Sequence, residues 1–256
     1  MNEMIRPRSV GQAGSLVEAP AEKLVFLRKV YSLFTGSVVT ASTGALVALY
    51  AGADLSRVTV PIGRTMVTVP PLVGFFANHW IIGMMMFLGA FFGASMVRER
   101  PGVNVAALFG ASFVSGLYIA PMLWFVQVQA TQGTTLSPAP VRDAFLLTVL
   151  GFTGLTSYAL LSKRDFSFLG GFLSMGLWVL IGASLLSLFV GGASFSLAIA
   201  SVGVLLFGGY ILFDTSRILR DPTNRDAVGA AIGLYLNFLN LFLFLLRILG
   251  SARRSD

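Results

Sequence analysis

No cysteine occurs in these 256 residues, which excludes a disulfide frame, thiolate chemistry and cysteine-ligated zinc. Charge is scarce as well. Only 11% of residues are Asp, Glu, Lys or Arg, against about 25% in an ordinary soluble domain. Histidine occurs once, at His79 beside Trp80, so no HExxH zinc site can be assembled, and its place at the start of an apolar segment argues against a catalytic Ser–His pair. An interfacial place is what that His-Trp pair supports. The lysines are Lys23, Lys29 and Lys163 alone, all flanking apolar runs, so none is available for a Schiff base inside a bundle. There is no G-x-S-x-G elbow, no Walker loop and no dinucleotide motif. These absences argue against an enzyme and against an energised transporter.

What fills the chain instead is apolar sequence. Hydrophobic residues make up 55% of it, and its mean hydropathy is +0.82. A membrane-spanning helix needs about 20 apolar residues to cross roughly 30 Å of hydrocarbon. Seven segments qualify: Tyr31–Ala53, His79–Val97, Asn104–Val126, Ala144–Leu161, Phe168–Val190, Phe195–Phe213 and Val228–Leu249. The expected fold is therefore an all-α integral membrane protein with seven transmembrane helices, in a domain over residues 23–256. Only Gly191–Ser194 separates the fifth and sixth segments, so these two should form an antiparallel hairpin. Residues 1–22 are polar, lack the apolar core of a signal peptide, and read as a mobile cytoplasmic tail. Between Asp54 and Asn78, Val58–Pro61 and Thr65–Pro71 favour extended backbone, as an external loop with some strand character.

The net charge of +7 does not make a nucleic-acid face, because the basic residues sit in short loops between apolar runs. One set of loops holds Arg6, Arg8, Lys23, Arg28, Lys29, Arg98, Arg100, Lys163, Arg164, Arg217, Arg220 and Arg225. The opposite set holds Arg57, Arg64 and Arg142. The positive-inside rule then places the amino terminus in the cytoplasm. Arg247, Arg253 and Arg254 fall outside if the last segment crosses, which runs against the rule locally. A re-entrant or returning last segment is the alternative.

Asp214 is the one carboxylate embedded in a predicted span. An ionisable group there costs roughly 2.5–3.5 kcal/mol at a helix centre, so it calls for a partner or a task. Two readings stay open. Arg217, one turn on, suits a local ion pair that snorkels to the interface; alternatively, Asp214 is a buried pH- or cation-sensitive carboxylate at a cytoplasmic gate. In the next segment Asn237 and Asn240 share one helix face, with Tyr235 nearby. Asp214 should lie about 6–7 Å inside the membrane and Asn237 about 15 Å. Contact between them therefore needs tilt, a helix that outruns the core, or a water-filled cavity.

Four blocks carry a family likeness: FLRKVY at Phe26–Tyr31, TSYALLSKRDFSFLGGFL at Thr156–Leu173, ILFDTS at Ile211–Ser216, and LYLNFLNLF at Leu234–Phe242. In them the chain resembles the Bax inhibitor-1 family of membrane proteins, in its bacterial YccA-like branch. The resemblance implies two three-helix layers around a central last helix, in the bacterial inner membrane. It implies passive calcium leak without a cofactor, calcium being the transported ion. For the YccA-like branch it implies, as the alternative, restraint of the membrane protease FtsH in quality control. Leak-competent members resemble one another in an aspartate pair on the last two helices, which shares a proton and is latched by a nearby arginine. Asp214 matches the first aspartate and would meet the ion; the second position holds Asn237. Arg217 and Asn240 complete the expected gate. Two close carboxylates cannot both ionise cheaply, and an Asp–Asn pair lacks that coupling, so pH-switched leak should be weakened or lost.

Overall fold

Lipid offers a peptide group no hydrogen-bond partner, so a spanning segment must satisfy its backbone internally, as helix. The computed structural model describes residues 15–56, 58–62, 65–130, 139–162, 164–220 and 226–252. Eight α-helices account for most of them: α1 (Ser15–Tyr50), α2 (Pro71–Asn78), α3 (Trp80–Met96), α4 (Val103–Gln129), α5 (Ala139–Leu161), α6 (Leu169–Val190), α7 (Ala193–Arg220) and α8 (Ala227–Ala252). Six of these are long and apolar enough to cross a membrane. The second predicted span is the exception. It falls on α3, which has 17 residues and meets α2 at a bend of 92°, so that the bent pair stands as one broken span or a re-entrant loop.

The helices outrun the apolar segments in both directions. α1 starts at Ser15, well before Tyr31, so helical backbone extends into the residues assigned to the tail; residues 1–14 lie outside the described part, as do Arg57, Arg64, Lys163, Arg225, Arg253 and Arg254. α7 continues past Phe213 to Arg220. Between α1 and α2, β1 (Thr59–Ile62) and β2 (Thr65–Thr68) pair antiparallel, Thr59 facing Thr68 and Ile62 facing Thr65. The expected strand character is thus a two-stranded hairpin, but Pro71 opens a helix at its first position, where proline lacks only an N–H that has no helical partner anyway. Gly191 and Gly192 turn the α6–α7 hairpin with φ of +66° and +98°, a conformation that costs glycine little.

α8 packs against α1, α3, α4, α5 and α7, while α6 rests chiefly on α7. Half of the apolar window of α8 (50%) is buried inside the protein, compared with 11% for α6, so α8 is interior and α6 faces lipid. The end of α8 at Gly250 lies against Val126, near the end of α4. The helix therefore traverses the bundle as one piece instead of returning to the side it began on. Phe34, Phe152 and Phe238 bring α1, α5 and α8 together: the first two rings stack at 4.5 Å, and each meets Phe238 edge-on at 5.6 Å. Such ring pairs are each worth about 0.5–1.5 kcal/mol beyond area burial.

Small residues set the closest approach. α1 and α4 touch backbone to backbone, since a Cβ at Gly116 would collide with the Ala41 carbonyl oxygen and one at Gly44 with that of Phe113. Without a hydrophobic effect between helices in lipid, such approach supplies the van der Waals contact. The many hydroxyls cost little here, because Ser37, Ser112 and Thr148 each donate to the carbonyl four residues earlier at 2.9, 2.9 and 2.7 Å. At the end of α5 the connection to α6 is tied to α7. Asp165 accepts the Ser167 N–H at 2.9 Å and the Ser216 hydroxyl at 3.2 Å, with Arg220 at 3.8 Å. These partners, Ser167 foremost, hold the Asp165 carboxyl below the usual carboxylate range. Gly116→Val should cost about 1–3 kcal/mol through overpacking and lower the melting temperature in detergent. Gly110→Val should leave it unchanged, because a Cβ at Gly110 meets nothing within 4 Å.

Candidate functional site

α7 carries Asp214 six residues before its end and α8 carries Asn237 ten residues after its start. The two meet. The Asn237 amide Nδ2 donates to Asp214 Oδ2 at 2.6 Å. Two features of the sequence make this contact: α7 stays helical to Arg220, and Gly233 leaves room. A Cβ at Gly233 would stand 3.3 Å from Asp214 Oδ2, so the carboxylate lies over a glycine and reaches the asparagine one turn further on. Asn237 is buried while Asp214 is half-buried, because its other side opens into a cavity.

That cavity has a volume of about 440 Å³ and is bounded by Arg98 and Glu99 after α3, Asp214 and Arg217 on α7, and Asp226 and Gly229 at the start of α8. Two arginines face three carboxylates in it, so the charge is nearly balanced with a slight negative excess. Arg98 Nε lies 3.5 Å from Asp226 Oδ2, joining the α3–α4 connection to α8. Asp226 also caps α8, accepting the Gly229 N–H at 2.8 Å and so satisfying a donor that the first helical turn leaves without a partner.

The other predicted residues divide. Arg217 is exposed and lines the cavity, but among the described residues it makes no ion pair within 4.0 Å of Asp214. Of the two readings of Asp214, the local ion pair with Arg217 is not made, and the carboxylate is engaged instead by Asn237 of α8. Asn240 takes no part: its amide donates to Leu236 O in its own helix at 2.7 Å. Tyr235 points elsewhere too, its hydroxyl 2.5 Å from Ser115 Oγ on α4 and its ring stacked on Phe91 at 5.7 Å. Arg98, Glu99 and Asp226 were not among the expected site residues, and Arg98 joins Asp226 across more than a hundred positions with no local pattern to announce it. Gly233 was findable, being the residue one turn before Asn237.

Among the described residues no group of three or more His, Cys, Asp or Glu is placed to hold a metal ion. Calcium ordinarily takes six to eight oxygens, so a cation at Asp214 would be met by few protein ligands and by water. The arrangement is one of a held carboxylate at the floor of a polar vestibule.

Replacing Asn237 with Leu strips Asp214 of its amide donor; a fully buried acceptor so stranded costs about 1–3 kcal/mol, and Asp214, which also faces the cavity, should lose a part of that. Asn240→Leu removes only a bond within its own helix. Thermal unfolding in detergent should show the Asn237 variant melting clearly lower than the Asn240 variant; equal melting would contradict the described contact.

Comparison with known proteins identifies the family. The family model for the inhibitor of apoptosis-promoting Bax1 matches residues 24–254. The chain is 34% identical to protein lifeguard 4 of Mus musculus over 234 residues, covering 91% of this chain and 87% of the mouse protein. It is 34% identical over 243 residues to a membrane protein of Vibrio cholerae, covering 94% and 96%. It is 31% identical over 233 residues to the Golgi anti-apoptotic protein of vaccinia virus, covering 91% and 88%. A seven-segment apolar helical chain with this match along nearly its whole length is a membrane protein of the Bax inhibitor family.

Proposed function

We propose that the chain is a passive cation leak, with calcium as the transported ion, gated where α7 meets α8 at the Asp214 end of the bundle. The observation that carries this reading is the Asn237–Asp214 bond of 2.6 Å at the floor of the polar cavity. A carboxylate that reaches into a vestibule attracts cations. Leu234, Tyr235 and Phe238 are buried around Asn237, which supports reading the described conformation as a closed one. The reading places the chain in a bacterial cytoplasmic membrane, amino terminus and vestibule on the cytoplasmic side, following the basic residues of the α3–α4 and α7–α8 connections.

In this gate the amide donates to the carboxylate without needing a shared proton, so acid does not lock or unlock the pair as it would two carboxylates. Calcium flux into proteoliposomes, compared at acidic and neutral pH, should respond weakly to pH for the native chain and more steeply for Asn237→Asp. A strongly pH-gated flux in the native chain would sink this account.

A second reading has its own support. α1 has 36 residues, while about 20 suffice to cross the hydrocarbon, so its amino-terminal part projects beyond it and presents Leu24 and Val25, 63% and 67% exposed. This is a surface suited to a membrane protein partner, and the YccA-like resemblance points to an FtsH-type protease. Purification from native membrane separates the readings. A stoichiometric protease complex that is lost on deleting residues 1–25, with flux absent from the isolated chain, supports modulation. Flux that survives the deletion supports the leak.

A further inference from the structure

A second cavity, of about 340 Å³, opens between α1 and α5 and is floored by α8. α1 packs on α4 and α8, and α5 packs on α8 and α7, so the gap between α1 and α5 faces sideways into the bilayer. Its length along α1, from Val38 to Tyr50, is about 18 Å at 1.5 Å per residue, slightly more than half of a roughly 30 Å hydrocarbon core.

Polarity along this groove is graded. Its depth is walled by Ala41, Ala45, Phe238, Leu239 and Phe242. The polar groups beside these apolar walls are already engaged: Ser42, at the exposed edge, donates to Val38 O at 2.9 Å, and Tyr235 is paired with Ser115. Tyr50, Gln127 and Arg142 line the other end, near the end of α1, the end of α4 and the start of α5. This end is opposite to the Asp214 cavity, which lies where α7 ends and α8 begins. Arg142 gives Nε and Nη2 to Asp143 Oδ1 at 3.1 and 2.9 Å. A guanidinium has five N–H donors in a fork that suits phosphate oxygens, so the pairing with Asp143 does not exhaust it.

We propose that this groove binds one phospholipid from the leaflet remote from the Asp214 cavity, with an acyl chain along α1 and the phosphate at Arg142. An apolar channel that opens into lipid and ends in a cation at interfacial depth matches the polarity of that molecule along its length. The cavity volume falls within the range of small-molecule sites. Binding here wedges lipid between α1 and α5, directly over the face of α8 that carries Phe238 and Phe242.

Native mass spectrometry of the full chain in mild detergent tests this with two probes of identical chains, palmitoyl-oleoyl phosphatidylethanolamine and palmitoyl-oleoyl glycerol. The native chain should retain one phospholipid, with about tenfold preference over the diacylglycerol for the charge-assisted phosphate contact. Ser42→Phe fills the groove from an exposed position and should abolish retention of both, while Ser42→Ala should bind like the native chain. Arg142→Gln should erase the preference. The proposal is overturned if Ser42→Phe retains as much phospholipid as the native chain, or if Arg142→Gln leaves the preference intact.

Discussion

The fold is arranged around α8, an interior helix whose polar groups must find their partners within the protein. α8 packs against five other helices, and its residues enter both apolar clusters of the bundle, Leu234 and Phe238 in one, Phe242 and Leu246 in the other. A polar group on such a helix must find its partner within the protein, since an unsatisfied one costs several kcal/mol in an apolar medium. Tyr235 finds Ser115, Asn237 finds Asp214 and Asn240 finds its own backbone. The interior so divides into a half filled by rings and aliphatic side chains and a half beside Asp214 where a polar-lined cavity opens.

The same division explains why Asp214 is tolerated at all. Its cost in the membrane is reduced from two directions, by the amide of Asn237 and by the cavity that leaves the carboxylate half-exposed. Arg217 shares that cavity without closing on the acid as an ion pair. The Asn237 amide holds the carboxylate by dipole and geometry, and the contact depends on how tightly α7 and α8 stay together.

Much of this could be read from the residues. Apolar runs of adequate length located six spans and the bent α2–α3 region, because the hydrocarbon thickness imposes that length. The turn at Gly191 was visible because two adjacent glycines leave few other options. The bend between α2 and α3 was not, since His79 lies inside an apolar stretch and nothing local marks a break there. The Asp214–Asn237 contact was named as a pair, but its distance was not available from spacing. It depends on α7 continuing as helix into charged sequence and on Gly233 having no side chain. Asn240 has the same chemistry and the same face as Asn237, yet helix position alone could not tell which amide reaches across. Arg98 and Asp226 meet only through tertiary packing, which no periodicity encodes.

The short α3 has a consequence for the membrane around it. Its 17 residues span only about 26 Å, less than a typical hydrocarbon core, and the sharp turn into α2 prevents its neighbour from extending it. A bilayer meeting so short a helix thins locally or draws its headgroups inward. α3 ends beside Arg98 and Glu99, the rim of the Asp214 vestibule, so the lipid–water boundary should dip where the vestibule opens. The barrier beside the held carboxylate is then thinner than the membrane elsewhere, a property that belongs to the lipid as much as to the protein.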